Sequence, residues 1–164
     1  ATAALANAKD LTKRLASLLR RFAQSLRPKI LDDLGLSAAL PWLVEDIGDR
    51  MQPEVSLACE ISPGTRYPTD VETAAFRIVQ EALTNAARYA DADRVEVIVN
   101  VEADTLRIHV IDDGNGFDLT AWAQSNRTTL GLSGMTERAE QLGGSLEIDT
   151  APNEGTRISA TLSL

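Results

Sequence analysis

The sequence predicts a two-layer α/β (α+β) sandwich, a mixed sheet covered on one face by helices over residues 36–51, 70–90 and 133–143, preceded by a long helix. Three patterns predict it. Apolar residues alternate in 55–61, 95–101, 106–110 and 158–164, the period of two that half-buried strands require. Val71, Ala74, Ala75, Ile78, Val79, Ala82, Leu83 and Ala86 instead recur at the spacing of one helical face. Residues 3–27 hold no Gly or Pro and are rich in Ala, Leu, Arg and Lys, all good helix formers.

In chain order, the first helix carries Ala4, Ala8, Leu11, Leu15, Leu18 and Phe22 at steps of three and four, the seam of a coiled coil or bundle. Leu5, Leu19 and Leu26 widen that seam, which favours a bundle with a partner helix over packing on the following domain. Pro28 stops the helix. The Leu31–Leu36 stretch, with Asp32, Asp33 and Gly35, suits a tight corner, and Ser37 is placed to cap a helix reaching about Met51. Leu36, Leu40, Leu43, Val44 and Ile47 form its apolar stripe. The domain boundary is therefore expected near 28–34, giving residues 1–34 and 35–164 as two units. The chain starts at Ala1 within a helical pattern, which reads as a piece cut from a longer protein.

After Pro53, Val55, Leu57, Cys59 and Ile61 make a half-buried strand, and Pro63, Gly64 and Pro68 punctuate the loop that follows. Thr69 or Asp70 is expected to cap the 70–90 helix. Residues 94–101 and 105–111 form a hairpin around the turn 102–104, with Val95, Val97, Val99 and Val101 facing Leu106, Ile108 and Val110. Residues 118–130 are polar and only weakly periodic. A helix then runs to Gly143-Gly144, and a last hairpin joins 145–150 to 156–164, with Ile158, Ala160, Leu162 and Leu164 inward.

Composition narrows the function. A net charge of −8 and a pI near 4.6 argue against a nucleic-acid surface, which needs clustered Lys and Arg. Any phosphate held here must be held locally, by backbone amides, a metal or a few chosen cations. The single Cys59 permits no internal disulfide and fits a reducing compartment. No apolar run approaches the ~18 residues that span a bilayer, and no signal peptide opens the chain.

The chemistry-bearing residues fall in four places. Arg77, Glu81, Asn85 and Arg88 line up on one helix ridge, either a solvated face or a surface managing an anion with its metal. Asp112-Asp113-Gly114-Asn115-Gly116 ends a strand. It reads as a hairpin corner or as a carboxylate placed to accept from the exocyclic amine of a base, with glycines that let backbone approach a flat ring. Gly131-Leu132-Ser133-Gly134-Met135 opens a helix, either as punctuation or as amides offered to an anion. Thr156 after Gly155 starts a strand or adds a hydroxyl to a phosphate site. Neither the phosphate loop nor Gly-x-Gly-x-x-Gly is present. His109, the only His, reads as an outward strand residue, and no zinc site is expected.

The order Glu81-x3-Asn85, Asp112-x-Gly114-x-Gly116, a lid, Gly131-x-x-Gly134 and Gly155-Thr156 resembles the Bergerat-type ATP-binding domain of the gyrase, Hsp90, histidine kinase and MutL (GHKL) superfamily. Gln80–Asn85 and Gly131–Arg138 look like the sensor histidine kinases that pair with helix-turn-helix response regulators. Leu26-Arg27-Pro28 and Leu31–Leu36 are similar to the junction between that subfamily's dimerisation and catalytic domains. The resemblance implies ATP as substrate, with Mg²⁺ ligated by Asn85, Glu81 in the catalytic role, and Asp112 accepting from the adenine amine. Gly114 and Gly116 would make room for the ring, residues 118–130 would be the lid, and Gly131, Leu132, Gly134, Met135 and Thr156 would complete the pocket. Arg88 stands where the family usually has Lys, and Tyr89 where it often has His. The family's phosphoacceptor His lies on a first dimerisation helix. By the same resemblance residues 1–27 look like the second, so this chain is not expected to autophosphorylate alone. The implied partners are a response regulator and a second copy through the N-terminal helix, with no nucleic acid and no direct membrane contact, in the cytoplasm. A superfamily ATPase, or a serine kinase acting as an anti-sigma factor, would share the nucleotide boxes without explaining Leu31–Leu36. A pure dimerisation or interaction module would treat the boxes as turns.

Overall fold

The computed structural model describes residues 28–48, 53–124 and 130–164. The long helix expected over 1–27, the end of the helix expected at 49–51, and positions 125–129 of the lid lie outside the described residues. The elements in order are α1 (Lys29–Leu34), α2 (Leu36–Gly48), β1 (Glu54–Cys59), α3 (Thr69–Asn85) with a π-turn (Ala86–Ala90), β2 (Arg94–Glu102), β3 (Thr105–Asp112), α4 (Leu119–Gln124), α5 (Leu130–Glu140), β4 (Ser145–Thr150) and β5 (Thr156–Ser163).

The five strands form one sheet in the order β1-β2-β3-β5-β4. β1 runs parallel to β2, as a crossover through α3 requires, and every other pair is antiparallel. The core lies between one sheet face and the helices. Val95, Val97, Val99, Leu106, Ile108, Val110, Ile158, Ala160 and Leu162 point into it from the sheet, and Leu40, Leu43, Phe76, Ile78, Leu83, Met135 and Ala139 from the helices. The sandwich predicted from the alternating strands is thus the fold observed. Val101 departs from the inward set, at 37% exposure. Its strand partner Leu106 is fully buried because β3 has neighbours on both sides, whereas the β1–β2 ladder has already ended at Cys59↔Val99.

Four boundaries differ from the sequence reading, each for a local reason. Residues 29–34 form a short helix rather than a corner, because Leu31 is drawn fully into the core. α2 starts at Leu36, so Ser37 sits inside its first turn instead of capping it. The cap position of α3 is Pro68, whose fixed backbone suits a helix start, and it makes no side-chain cap bond; Asp70 Oδ1 instead accepts from the Val71 amide at 3.0 Å. α5 begins at Leu130, which places Gly131 and Gly134 within the helix and not ahead of it.

Candidate functional site

α3 presents its buried side, Val71, Ala75, Phe76, Ile78, Val79, Ala82 and Leu83, to the sheet, so the opposite ridge is set by the same periodicity. Arg77, Glu81 and Asn85 fall on that ridge, half-buried. Glu81 and Asn85 make no side-chain hydrogen bond among the described residues, which leaves a carboxylate and an amide free to meet a ligand. The helix then widens into the π-turn, a feature that often marks functional sites. Ala86 and Ala90 stay buried there, while Arg88 and Tyr89 stand out, Tyr89 at 75% exposure. The uniform ridge from Arg77 to Arg88 therefore ends at Asn85.

The π-turn is joined directly to the loop after β3. The Ala90 carbonyl accepts from the Asn115 amide at 2.6 Å. A Cβ at Gly114 would come within 2.3 Å of that same carbonyl, so only glycine lets loop and helix end meet. Gly116 has φ +53°, and a Cβ there would lie 2.1 Å from the Ala151 carbonyl. These glycines thus have packing reasons beyond those of a simple turn.

Asp112 ends β3 half-buried, with Oδ1 accepting from the Gly114 amide at 3.0 Å. Burial raises its pKa above the ordinary 3.8, and hydrogen bonds from Gly114 and Thr156 oppose that shift. Thr156, opposite Asp112 in the β3–β5 register, belongs to this cluster. Asp113 points elsewhere, accepting from the amides of Asp93 and Arg94 at 2.9 Å each. Those bonds, led by Arg94's, lower its pKa.

α5 closes the third side. A Cβ at Gly131 would lie 2.2 Å from Glu81 Oε1, so the absent side chain is what lets this helix start against the Glu81 carboxylate. Leu132 and Gly134 are half-buried on the same helix. Met135 is fully buried in the core beneath α5, which leaves it no surface to meet a ligand, contrary to its expected place in the pocket. Arg138 Nη1 folds back to donate to the Gly134 carbonyl.

Sequence reasoning missed Thr150. Its hydroxyl accepts from the Phe117 amide at 3.1 Å and donates to the Gly155 carbonyl at 2.9 Å, tying the glycine loop to the β4–β5 turn. Nothing in the sequence marked it, since a threonine at a strand end carries no such signal. His109 lies mid-strand on the uncovered face, its Nδ1 3.0 Å from Ser159 Oγ. A depression of about 610 Å³ reaches Asp112 from the strand ends, but Glu54, Glu96 and Asp113 outnumber Arg94 along its rim, and it shares no residue with α3. A rim of net negative charge does not suit phosphate. Among the described residues no group of three or more His, Cys, Asp or Glu converges, so a metal at Asn85 would be a hard cation completed by substrate oxygens, as Mg²⁺ accepts.

The sequence profile of the histidine kinase-, DNA gyrase B- and HSP90-like ATPases matches residues 70–164, so the chain belongs to this family, as an ATP-binding domain of the sensor histidine kinase type. A signal transduction histidine-protein kinase/phosphatase, DegS of Brevibacillus brevis, is 39% identical over 158 residues, spanning 94% of this chain. The chain covers 40% of that relative's length. The histidine kinase domain of a blue-light activated kinase from Erythrobacter litoralis superposes with a TM-score of 0.66 at 25% identity, over 79% of this chain and 61% of that one. The Acinetobacter baumannii histidine kinase AdeS shares the fold at a TM-score of 0.61 and 19% identity, over 94% of this chain and 77% of the other. Among the described residues no helix is long and apolar enough to cross a membrane.

Proposed function

We propose that this domain binds Mg-ATP and donates its γ-phosphoryl group to a histidine carried by another segment or chain, from which it passes to a response regulator. The observation that carries the reading is Asp112. Its half-buried carboxylate is held at a strand end by the Gly114 amide, on a loop that meets the end of α3 only because residue 114 lacks a side chain. A fixed acceptor beside a flat backbone surface suits an exocyclic amine on a planar base. Gly116 and Thr156 would line the same end of the pocket.

At the other end Asn85 would hold Mg²⁺ through its amide oxygen, and the metal would neutralise charge on the phosphates. Glu81 would orient the reacting end, with the α5 start at Gly131, Leu132 and Gly134 alongside and Met135 fixing that helix from below. Arg88, exposed within the π-turn, would offer a cation to the phosphates, and Tyr89 would flank it. The residues act by positioning and by charge, with no covalent step on the protein side of this pocket. The acceptor lies elsewhere because His109 is bonded to Ser159 within the sheet. The proposed carrier of that histidine is a first dimerisation helix outside this sequence, with which residues 1–27 would pack in the assembled, dimeric kinase.

The metal assignment is tested by Asn85→Ala. Calorimetry should show Mg-dependent ATP affinity falling at least about tenfold while any metal-free binding is retained, as expected for one lost charge-assisted contact. Unchanged Mg-dependent affinity would overturn it. Labelled ATP mixed with a separately made histidine-bearing domain then separates kinase from ATPase: labelled histidine supports transfer, free phosphate alone does not.

A further inference from the structure

Glu72 is the fully buried charged residue of the described chain, and it lies at the opposite end of α3 from Asn85. Both its oxygens are taken by one guanidinium: Arg66 Nε donates to Oε1 at 3.0 Å and Nη2 to Oε2 at 3.1 Å. The Tyr67 amide adds a third bond to Oε1 at 3.2 Å. The remaining arm of Arg66, Nη1, donates to the Asp32 carbonyl of α1 at 3.1 Å. Helix ends leave such carbonyls without partners and favour a cation beside them. One side chain therefore touches α1, the loop before α3 and α3 itself.

The neighbouring residues are fitted to this clasp. Gly35 ends α1 with φ +76°, and a Cβ there would lie 2.8 Å from Arg66 Cδ and 3.3 Å from the Thr65 carbonyl. The glycine thus serves both the turn and the passage of the Arg66 stem. Leu31, the only fully buried side chain of α1, supplies the apolar half of the attachment. A six-residue helix with one buried leucine is weakly fixed by packing alone. A forked ion pair adds little net stability over an apolar substitute, but it fixes geometry in a way that an apolar contact does not.

We infer that Arg66 and Glu72 are positioning residues that make α1 and α3 move as one piece, so that the segment joining this domain to residues 1–27 senses the nucleotide held at the far end of α3. This rests on the ATP reading above. α3 is an unbroken helix from Thr69 to Asn85, and a rigid rod transmits a displacement of one end to the other. α1, directly after Pro28, is the described element covalently nearest to the preceding segment.

Hydrogen exchange on the whole chain, with and without saturating Mg-ADP, tests the coupling. In the wild type, nucleotide should slow exchange at residues 29–35 as well as around Asn85 and Asp112. Arg66→Lys keeps the charge and loses the fork. It should speed exchange at 29–35 about tenfold, the effect of one lost charge-assisted bond, and abolish their response to nucleotide. Nucleotide affinity in calorimetry should change far less. Glu72→Gln should reproduce the pattern. A nucleotide response at 29–35 that survives in Arg66→Lys overturns the inference, as does a wild type in which those amides are indifferent to bound nucleotide. Loss of native circular dichroism in both variants would make the pair a folding requirement and also overturn it. Absence of any binding heat in the wild type would sink the ATP reading itself, with the coupling that depends on it.

Discussion

Asp112 is held between two opposing influences, burial that disfavours its charge and hydrogen bonds from Gly114 and Thr156 that favour it, with burial the larger. Its pKa in the folded chain is thus raised above 3.8, and ionising it costs stability as pH rises through that raised range. Asp113 is the reverse: held below 3.8 by the Arg94 and Asp93 amides, it contributes stability above the ordinary range that is lost as pH falls through its lowered value. If Asp112 reads an amine, nucleotide affinity should weaken on acidification sooner than an ordinary aspartate would make it, since a protonated carboxyl is the poorer acceptor. Asp112→Asn should lower affinity at neutral pH about tenfold and flatten that acid limb, as fluorescence titration across pH will show. An acid limb unchanged in the variant would remove Asp112 from the site. This residue was legible in the sequence because Asp-x-Gly-x-Gly after an alternating strand has few uses. Thr150 was not, because a threonine at a strand end looks the same whether it faces solvent or pins a loop. Met135 was legible as a motif member, yet its burial depends on where α5 lands.

At the scale of elements, two glycines of the site answer to different neighbours. Gly114 faces backbone, the Ala90 carbonyl, whereas Gly131 faces the flexible end of the Glu81 side chain. Gly114→Ala should therefore strain the junction between the π-turn and the β3 loop and cost about 1–3 kcal/mol in chemical denaturation. Gly131→Ala should leave stability unchanged or raise it by up to about 1 kcal/mol, since alanine is the better helix former. It should nevertheless push Glu81 aside and slow phosphoryl transfer to a supplied histidine-bearing domain about tenfold or more. Equal stability losses in the two variants would contradict this contrast. The sheet and α3 were readable because their periodicities run over many residues and tertiary packing agrees with them. The π-turn was not, for Ala86–Ala90 carries no local mark of a wider turn; it arises where the Ala90 carbonyl must reach Asn115. The start of α5 was misplaced because glycine reads as punctuation in sequence, while here its value is the close approach to Glu81.

Over the whole molecule, the residues assigned to nucleotide come from α3, the β3 loop, α5 and β5, segments that meet only when the sheet is formed and the helices lie on it. A ligand held by all of them binds the folded chain and has nothing comparable to bind in the unfolded one, so it must stabilise the fold by mass action. At a nucleotide concentration one hundred times its Kd the gain is about 2.7 kcal/mol. For a chain of 164 residues that corresponds to a rise in Tm of roughly 5–10 °C. The rise should need Mg²⁺ and be largely removed by a chelator. Asn85→Ala should keep the Tm of the free protein and lose the Mg-dependent part of the shift, because Asn85 makes no side-chain bond within the described fold that its removal would break. Arg66→Lys, in contrast, should lower the Tm of the free protein while keeping the shift, because its bonds join α1 to α3 and lie away from the nucleotide. Differential scanning calorimetry on the three proteins separates these effects in one experiment. A chain serving only as an interaction module would show no nucleotide-dependent shift in any of them.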